Sequence, residues 1–230
     1  MTHLATQPTT ARALFAWPAK AAVSQSVAKA KIYAHAKPTV ALRALFVAQI
    51  ESITWAYKLA PESINLPATT EVPEIEVFEI ALKQPGVSRS VLRCIDKAIP
   101  FPILFVLRHD GKSQPIAAYK RPSEAESGQW VLGDYHAAPW QPDDLPPHSL
   151  PIALNLQGLY EQLLRQHLVV PARAGESLRN QLDRLAQLKA KQAAAAKLES
   201  RLMQEKQFNR KVEINAQLRT IRSELQVLAS

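Results

Sequence analysis

Apolar positions recur along this chain with two distinct periods, and the switches between them predict most of its elements. From Thr39 to Leu59, the residues Leu42, Leu45, Phe46, Ile50, Ile53 and Tyr57 follow three-four spacing. Pro38 stands at the entry and Pro61 beyond the exit, which predicts one helix over 39–59. Glu74 to Lys83 is rich in Ile, Val and Phe and predicts a strand. Ser88 to Ala98 predicts a helix, with Ser88 as N-cap and Val91, Leu92 and Ile95 on its inner face. The run Pro102–Leu107 is apolar without a break and predicts a strand buried on both faces. A helix between two strands predicts a parallel βαβ unit. Asp110-Gly111 signals a hairpin, with Pro115–Lys120 returning and Trp130-Val131-Leu132 as an edge strand. Leu154 to Val169 predicts a further helix.

The tail reads differently. From Glu176 to Leu228 there is no Pro or Gly, and Ala, Leu, Gln, Lys, Arg and Glu dominate. A continuous helix of that length would reach about 80 Å at 1.5 Å per residue. Its apolar residues form two seams: Leu178, Leu182 and Leu185, then Ile214, Leu218, Ile221, Leu225 and Leu228 in heptad steps. The seams are out of strict heptad phase by one residue, and Ala193–Ala196 interrupts them. An interrupted coiled coil, or a helical hairpin folding near the alanines, accounts for this better than one uniform zipper. The expected organisation is an α+β body with a mixed sheet over residues 1–170, a hinge at 171–175, and a long helical or coiled-coil tail over 176–230.

Charge divides the chain further. The net charge of +8 is carried by the ends: residues 1–40 hold five Lys/Arg and no acid, and the segment from 166 onward holds twelve basic and six acidic side chains. The stretch between them is slightly acidic. Basic ends on such a body predict an acidic partner, nucleic acid first. The acid-free start resembles a mitochondrial transit peptide, but Trp17-Pro18 and Lys37-Pro38 interrupt any long amphipathic helix there. No apolar run approaches the roughly 20 residues that span a bilayer, so a soluble, cytoplasmic bacterial protein is expected. The single cysteine, Cys94, excludes an internal disulfide framework and reads as a buried structural thiol. His3, His35, His109, His136, His148 and His167 have no metal-like spacing, and no cofactor motif is present.

Three groups carry candidate chemistry. The first is Asp96-Lys97 before Pro100 and Pro102, where a helix turns into the buried strand. A lysine suits a helix C-terminus, whereas an aspartate there needs a partner; a structural lock onto the segment around Tyr57-Lys58 is expected. The second is a weak nuclease-like pair, Glu79 and Lys83, which face the same side of one strand. Ala81 occupies the position two before the lysine, where a restriction-type site places a carboxylate for Mg²⁺. The third is Arg201, Lys206, Arg210 and Lys211 at near-helical spacing, with Phe208 and Asn209 among them. These suit phosphate contacts and base stacking, or docking into a protein partner.

Taken as whole phrases in order, several segments resemble the bacterial domain-of-unknown-function family 4391. They are Trp55-Ala56-Tyr57-Lys58-Leu59-Ala60-Pro61-Glu62-Ser63-Ile64-Asn65-Leu66, then Glu74-Ile75-Glu76-Val77-Phe78-Glu79-Ile80, then Ile95 to Leu107, and in the tail Glu205 to Asn215. The resemblance implies that the basic N-terminal arm belongs to the mature domain. It also implies a gene neighbourhood of DNA methyltransferases and superfamily-2 helicases, in restriction-like or phage-defence clusters. The function expected is a non-enzymatic accessory subunit bridging a helicase or methyltransferase through its helical tail, with self-association through the tail as a further expected contact. The alternative is a nucleic-acid-binding or nuclease-like module acting through the basic ends and strand carboxylates.

Overall fold

The computed structural model describes residues 14–126 and 128–229, which divide after Leu168 into two compact units. The N-terminal residues up to 13, including His3 and Arg12 of the basic arm, lie outside the described residues.

The first unit is a mixed sheet. Its strands are β1 (Ala22–Ser26), β2 (Ile50–Leu59), β3 (Ile75–Leu82), β4 (Ile103–His109), β5 (Lys112–Pro122) and β6 (Trp130–Ala137), in that spatial order. A short β7 (Gln141–Pro142) also pairs with β5. Neighbours are antiparallel except β3 and β4, which run parallel. The crossover between them is α4 (Arg89–Ala98), as the βαβ pattern requires. The shorter α1 (Lys29–Ala36), α2 (Val40–Gln49) and α3 (Pro61–Ile64) precede it, and α5 (Leu156–Arg165) follows the sheet.

One face of the sheet holds the main core. Phe78, Ile80, Leu82, Ile103, Phe105, Leu107 and Ile116 pack with Ile32 of α1, Phe46 of α2, and Val91, Leu92 and Ile95 of α4. Complete burial of side chains such as Phe46 and Phe105 stabilises by about 1.5–3 kcal/mol each. Cys94 is buried in this core, and burial pushes its thiol above the ordinary range. On the other face Tyr160 of α5 donates its hydroxyl to Ala118 O at 2.8 Å and accepts from Lys120 N at 2.9 Å.

The helix expected over 39–59 is half strand. α2 stops at Gln49 and the chain continues straight into β2. Buried positions 50, 53, 56 and 59 do recur every third residue, as on a helix. That spacing comes from two register shifts against β3, between Ile50 and Ser52 and between Trp55 and Tyr57. Each bulge adds a residue to the strand's period of two. The β-branched and aromatic content of Ile50, Ile53, Thr54, Trp55 and Tyr57 favours the extended form. Ser88 is the N-cap of α4 by position, but its hydroxyl makes no cap bond; its N–H donates to Gln49 Oε1 at 2.9 Å. The last helix of the body is shorter than expected and is capped by Asn155, whose side chain accepts from Gly158 N at 2.8 Å.

The second unit is a helical hairpin, α6 (Leu178–Gln204) and α7 (Phe208–Ala229). The pairs Lys191–Glu224 at 2.6 Å and Glu199–Arg222 at 2.9 Å show the helices to be antiparallel. The break falls at residues 205–207, about ten residues beyond the alanines, where a fold was expected. Ala195 sits buried in the seam with Leu198, Ile214 and Leu218, so the alanine stretch belongs to the packing. The three non-helical residues explain the phase slip between the two seams. No helix among the described residues is long and apolar enough to cross a membrane.

Candidate functional site

Four clusters of polar side chains stand out, and each is set by the strand or helix that carries it. The first closes the C-terminal end of α4. Asp96, 4% exposed, meets Lys120 of β5, 3% exposed, with 3.5 Å between their charged atoms. Lys120 Nζ also donates to the main-chain oxygens of Asp96 at 2.6 Å and Ile99 at 2.5 Å. These are last-turn carbonyls that the helix cannot satisfy itself. Tyr135 of β6 donates its hydroxyl to the Asp96 carboxylate. Burial raises the Asp96 carboxyl to about 6 against the opposing pull of Lys120, and burial lowers the Lys120 ammonium. The lock expected at Asp96-Lys97 therefore exists but runs to Lys120 and Tyr135, not to Tyr57-Lys58. Lys97 and Pro100 are exposed, while Pro102 is buried and its carbonyl accepts from Glu76 N at 2.9 Å.

The second cluster surrounds Lys58, which pairs with Glu62 at 3.4 Å and Glu74 at 2.9 Å. Ser63 ties the turn beneath it, accepting from Ala60 N at 2.9 Å and donating to Lys58 O at 2.7 Å. Beside it Glu76 is buried and accepts the indole N–H of Trp55. Burial, reinforced by Glu74 close by, raises the Glu76 carboxyl to about 8. A carboxylic acid held neutral near pH 7 is a hydrogen-bonding group more than a charge.

The third cluster lines a cleft of about 200 Å³ on the face of the sheet opposite Phe78 and Ile80. Glu79 binds Arg108 of β4 through both carboxylate oxygens at 2.9 and 3.0 Å, and Arg108 reaches Asp143 at 3.0 Å. Lys83 instead donates to Val47 O at 2.7 Å. With Glu79 engaged by an arginine and Lys83 turned to a carbonyl, this pair does not present the acid–lysine geometry of a restriction-type site. Among the described residues no group of three or more His, Cys, Asp and Glu side chains is placed to hold a metal ion.

The fourth cluster is the tip of the hairpin. Glu205 ends α6, and its carboxylate accepts from Lys206 N at 2.8 Å and Gln207 N at 2.9 Å, just ahead of α7. Those backbone donors, Gln207 first, hold its carboxyl below the ordinary range. Around this turn Met203 is 82% and Phe208 77% exposed. Val212 is also exposed. Arg201, Lys206, Asn209 and Arg210 are exposed beside them, and Lys211 is half-buried. Arg210 makes only a long contact with Glu205, at 4.0 Å. All six tail residues singled out in the sequence thus gather at one turn, joined by two apolar side chains that were not singled out, Met203 and Val212.

Residues 15–225 match the family model described as Domain of unknown function (DUF4391). The chain belongs to the DUF4391 family. No curated protein and no solved structure matches it. In DUF4391 terms, the phrase from Trp55 to Leu66 is the Lys58–Ser63 corner, and the phrase from Glu205 to Asn215 is the hairpin tip and the first turns of α7. The residues that sequence reasoning missed are the long-range partners: Lys120 and Tyr135 for Asp96, and Arg108 and Asp143 around Glu79. Their local sequence gives no sign of the pairing, since each is brought in by strand order alone. The carboxylates Glu74, just ahead of β3, and Glu76 within it were visible, but the burial of Glu76 was not.

Proposed function

We propose that this chain is a non-enzymatic accessory subunit of a bacterial DNA-modification or phage-defence complex, engaging a helicase or methyltransferase through the hairpin tip. The observation that carries the reading is the exposure of Phe208 and Met203 at a turn rimmed by Arg201, Lys206 and Arg210. Large side chains left in water at one small place are unusual unless something covers them. An aromatic anchor within a basic rim suits an apolar pocket edged by acidic residues, the arrangement that concentrates binding energy at protein interfaces. The rest of the hairpin supports this role by holding the tip on two packed helices.

The test is co-expression of the full chain with a bacterial helicase or DNA methyltransferase of the kind the reading proposes as its partner. Wild type is expected to co-purify with that partner, and the double variant Met203→Ser, Phe208→Ser is expected to lose it while remaining folded. Equal retention by the double variant would remove the tip from the interface. A second reading, direct contact with nucleic acid, is favoured by the same basic side chains. It predicts that the isolated protein binds DNA with a steep salt dependence and that Arg210→Glu abolishes binding. Cytoplasmic residence accompanies either reading.

A further inference from the structure

The outer face of α2 is apolar where that of α4 is charged. Seven of the ten residues of α2 are exposed, and six of these are apolar: Val40, Ala41, Ala44, Leu45, Val47 and Ala48. Arg43 is the seventh. Val40 is 85% and Val47 59% exposed. By contrast, α4 turns Arg89, Ser90, Arg93 and Lys97 to water. This is not the outside of a loose helix. Phe46 is fully buried beneath it in the main core, and Thr39 caps the first turn by accepting from Leu42 N at 3.3 Å. At the other end Lys83 donates Nζ to Val47 O at 2.7 Å and its main-chain N–H to Gln49 O at 2.9 Å. A firmly held helix with an apolar outer arc is a surface that another element covers. We infer that α2 docks an amphipathic helix of a partner protein, one with an apolar stripe flanked by Asp and Glu. This inference stands apart from the reading of the hairpin tip.

The partner's chemistry follows from shape and charge. Ala41, Ala44 and Ala48 are spaced by three and four, so they form one ridge along the helix. Val40 and Val47 flank that ridge on one side and Leu45 on the other. Small side chains on a ridge let a second helix approach to the short end of the usual spacing of about 8–10 Å. Larger apolar side chains of the partner then fill the space over the alanines. Charge selects among the occupants. Arg43 stands over the Tyr33 ring at 5.3 Å, Lys37 caps α1 just ahead of α2, and Lys83 sits at the last turn. All three cations are exposed. No Asp or Glu precedes Glu51 in the chain, so neither α1 nor α2 carries an acid of its own. A second copy of this face would bring like charges together with no acid on either helix to offset them. An anionic membrane would meet mostly valine and alanine, without the Trp or Phe that anchor interfacial helices. An acidic amphipathic helix satisfies both the apolar arc and its basic rim.

The test uses the full chain and its ¹H–¹⁵N spectrum, followed at the Ala41, Ala44 and Ala48 signals. The probe is a synthetic helical peptide of about 18 residues, with leucines at three-four spacing and glutamates flanking them. A control peptide carries lysine in place of every glutamate. Saturable shifts at the three alanines with the glutamate peptide, and binding of the lysine peptide weaker by at least about tenfold, support the inference. Ala44→Arg adds a cation but fills the ridge, so affinity for the glutamate peptide is expected to fall about tenfold with the melting temperature unchanged. Tighter binding in Ala44→Arg would mark a contact made by charge alone and overturn the inference. Arg43→Glu is expected to bring the two affinities together, and an unchanged preference there would overturn it as well. So would unmoved α2 signals at millimolar peptide, or equal affinity of the wild type for the two peptides. Two other occupants would also displace it: a dimer of the free chain that Ala44→Arg abolishes, or α2 shifts on phosphatidylglycerol vesicles with none on the glutamate peptide.

Discussion

The two ends of the C-terminal hairpin are finished in opposite ways. At the open end Arg184, 5% exposed, binds Glu176 through both carboxylate oxygens at 2.8 Å. It also donates to Pro171 O at 2.7 Å and to Leu228 O at 2.9 Å, near the last turn of α7. Arg173 adds a bond to Val227 O. One guanidinium thereby joins the entry of α6 to the exit of α7. At the turn there is nothing comparable: Glu205 satisfies two backbone donors, and Phe208 and Met203 stand in water. An end that only had to hold the helices together would resemble the first. The bare end is the one whose side chains remain available to a partner.

Lys120 does for α4 in the body what Arg184 does for the hairpin, since each long cation comes from elsewhere to close carbonyls at a helix end. The largest expected effect of breaking this kind of closure is therefore in the body. Lys120→Met should destabilise the fold by about 3–5 kcal/mol at pH 8, because it leaves the Asp96 carboxylate buried without its counter-charge. The loss should be smaller at pH 5, below the Asp96 value of about 6, where that carboxyl takes up a proton. Urea unfolding at the two pH values measures the difference.

Next in size is Arg184→Ala, which should lower the melting temperature by about 5 °C and strip hydrogen-exchange protection from the last turn of α7. The partner carboxyl supplies a sign test. Glu176 is lowered to about 2, with the Arg184 bond as first cause. Its contribution is thus fully present above the ordinary carboxyl value and fades as pH falls toward 2. Wild-type hairpin protection should fall over that acid window, and Arg184→Ala should flatten the fall.

These closures also show what was legible in the sequence. Period and turn chemistry placed β3, α4, β4 and the Asp110-Gly111 hairpin, because each is decided by residues within a few positions. The β2 segment misled because its two bulges turned a strand's period into a helix's. The hairpin turn carried no Gly or Pro; the side chain of Glu205 makes it, and only the one-residue phase slip betrayed it. The candidate lock at Asp96 was half visible, since an aspartate at a helix end needs a partner. The identity of that partner depends on β5 lying beside β4 and β6, which no local pattern states. The cleft around Glu79 and Arg108 was invisible for the same reason: its walls come from five separated segments.

A smaller effect is expected at Glu76. Its carboxyl is raised from the ordinary value to about 8, so the neutral form is the one the fold favours. Stability from this group is present below pH 4.5 and is lost as pH climbs to 8. Glu76→Gln keeps an acceptor for Trp55 and removes the charge, and should raise stability by about 1–2 kcal/mol at pH 8 with little change at pH 5. Glu74 nearby moderates the gain. A series of thermal melts from pH 5 to pH 8 would show it.

The smallest effect on stability is expected at the tip, and there it sharpens the contrast most. Phe208→Ala should change the unfolding free energy by less than about 0.5 kcal/mol, as for an exposed side chain outside any packed contact. The direct measurement is the affinity of the full chain for the proposed helicase or methyltransferase partner, by calorimetry, with wild type and Phe208→Ala side by side. A loss of at least tenfold with unchanged melting is the result expected of an anchoring residue. Unchanged affinity in Phe208→Ala and in the Met203→Ser, Phe208→Ser double variant would contradict the assignment of the hairpin tip as the interface.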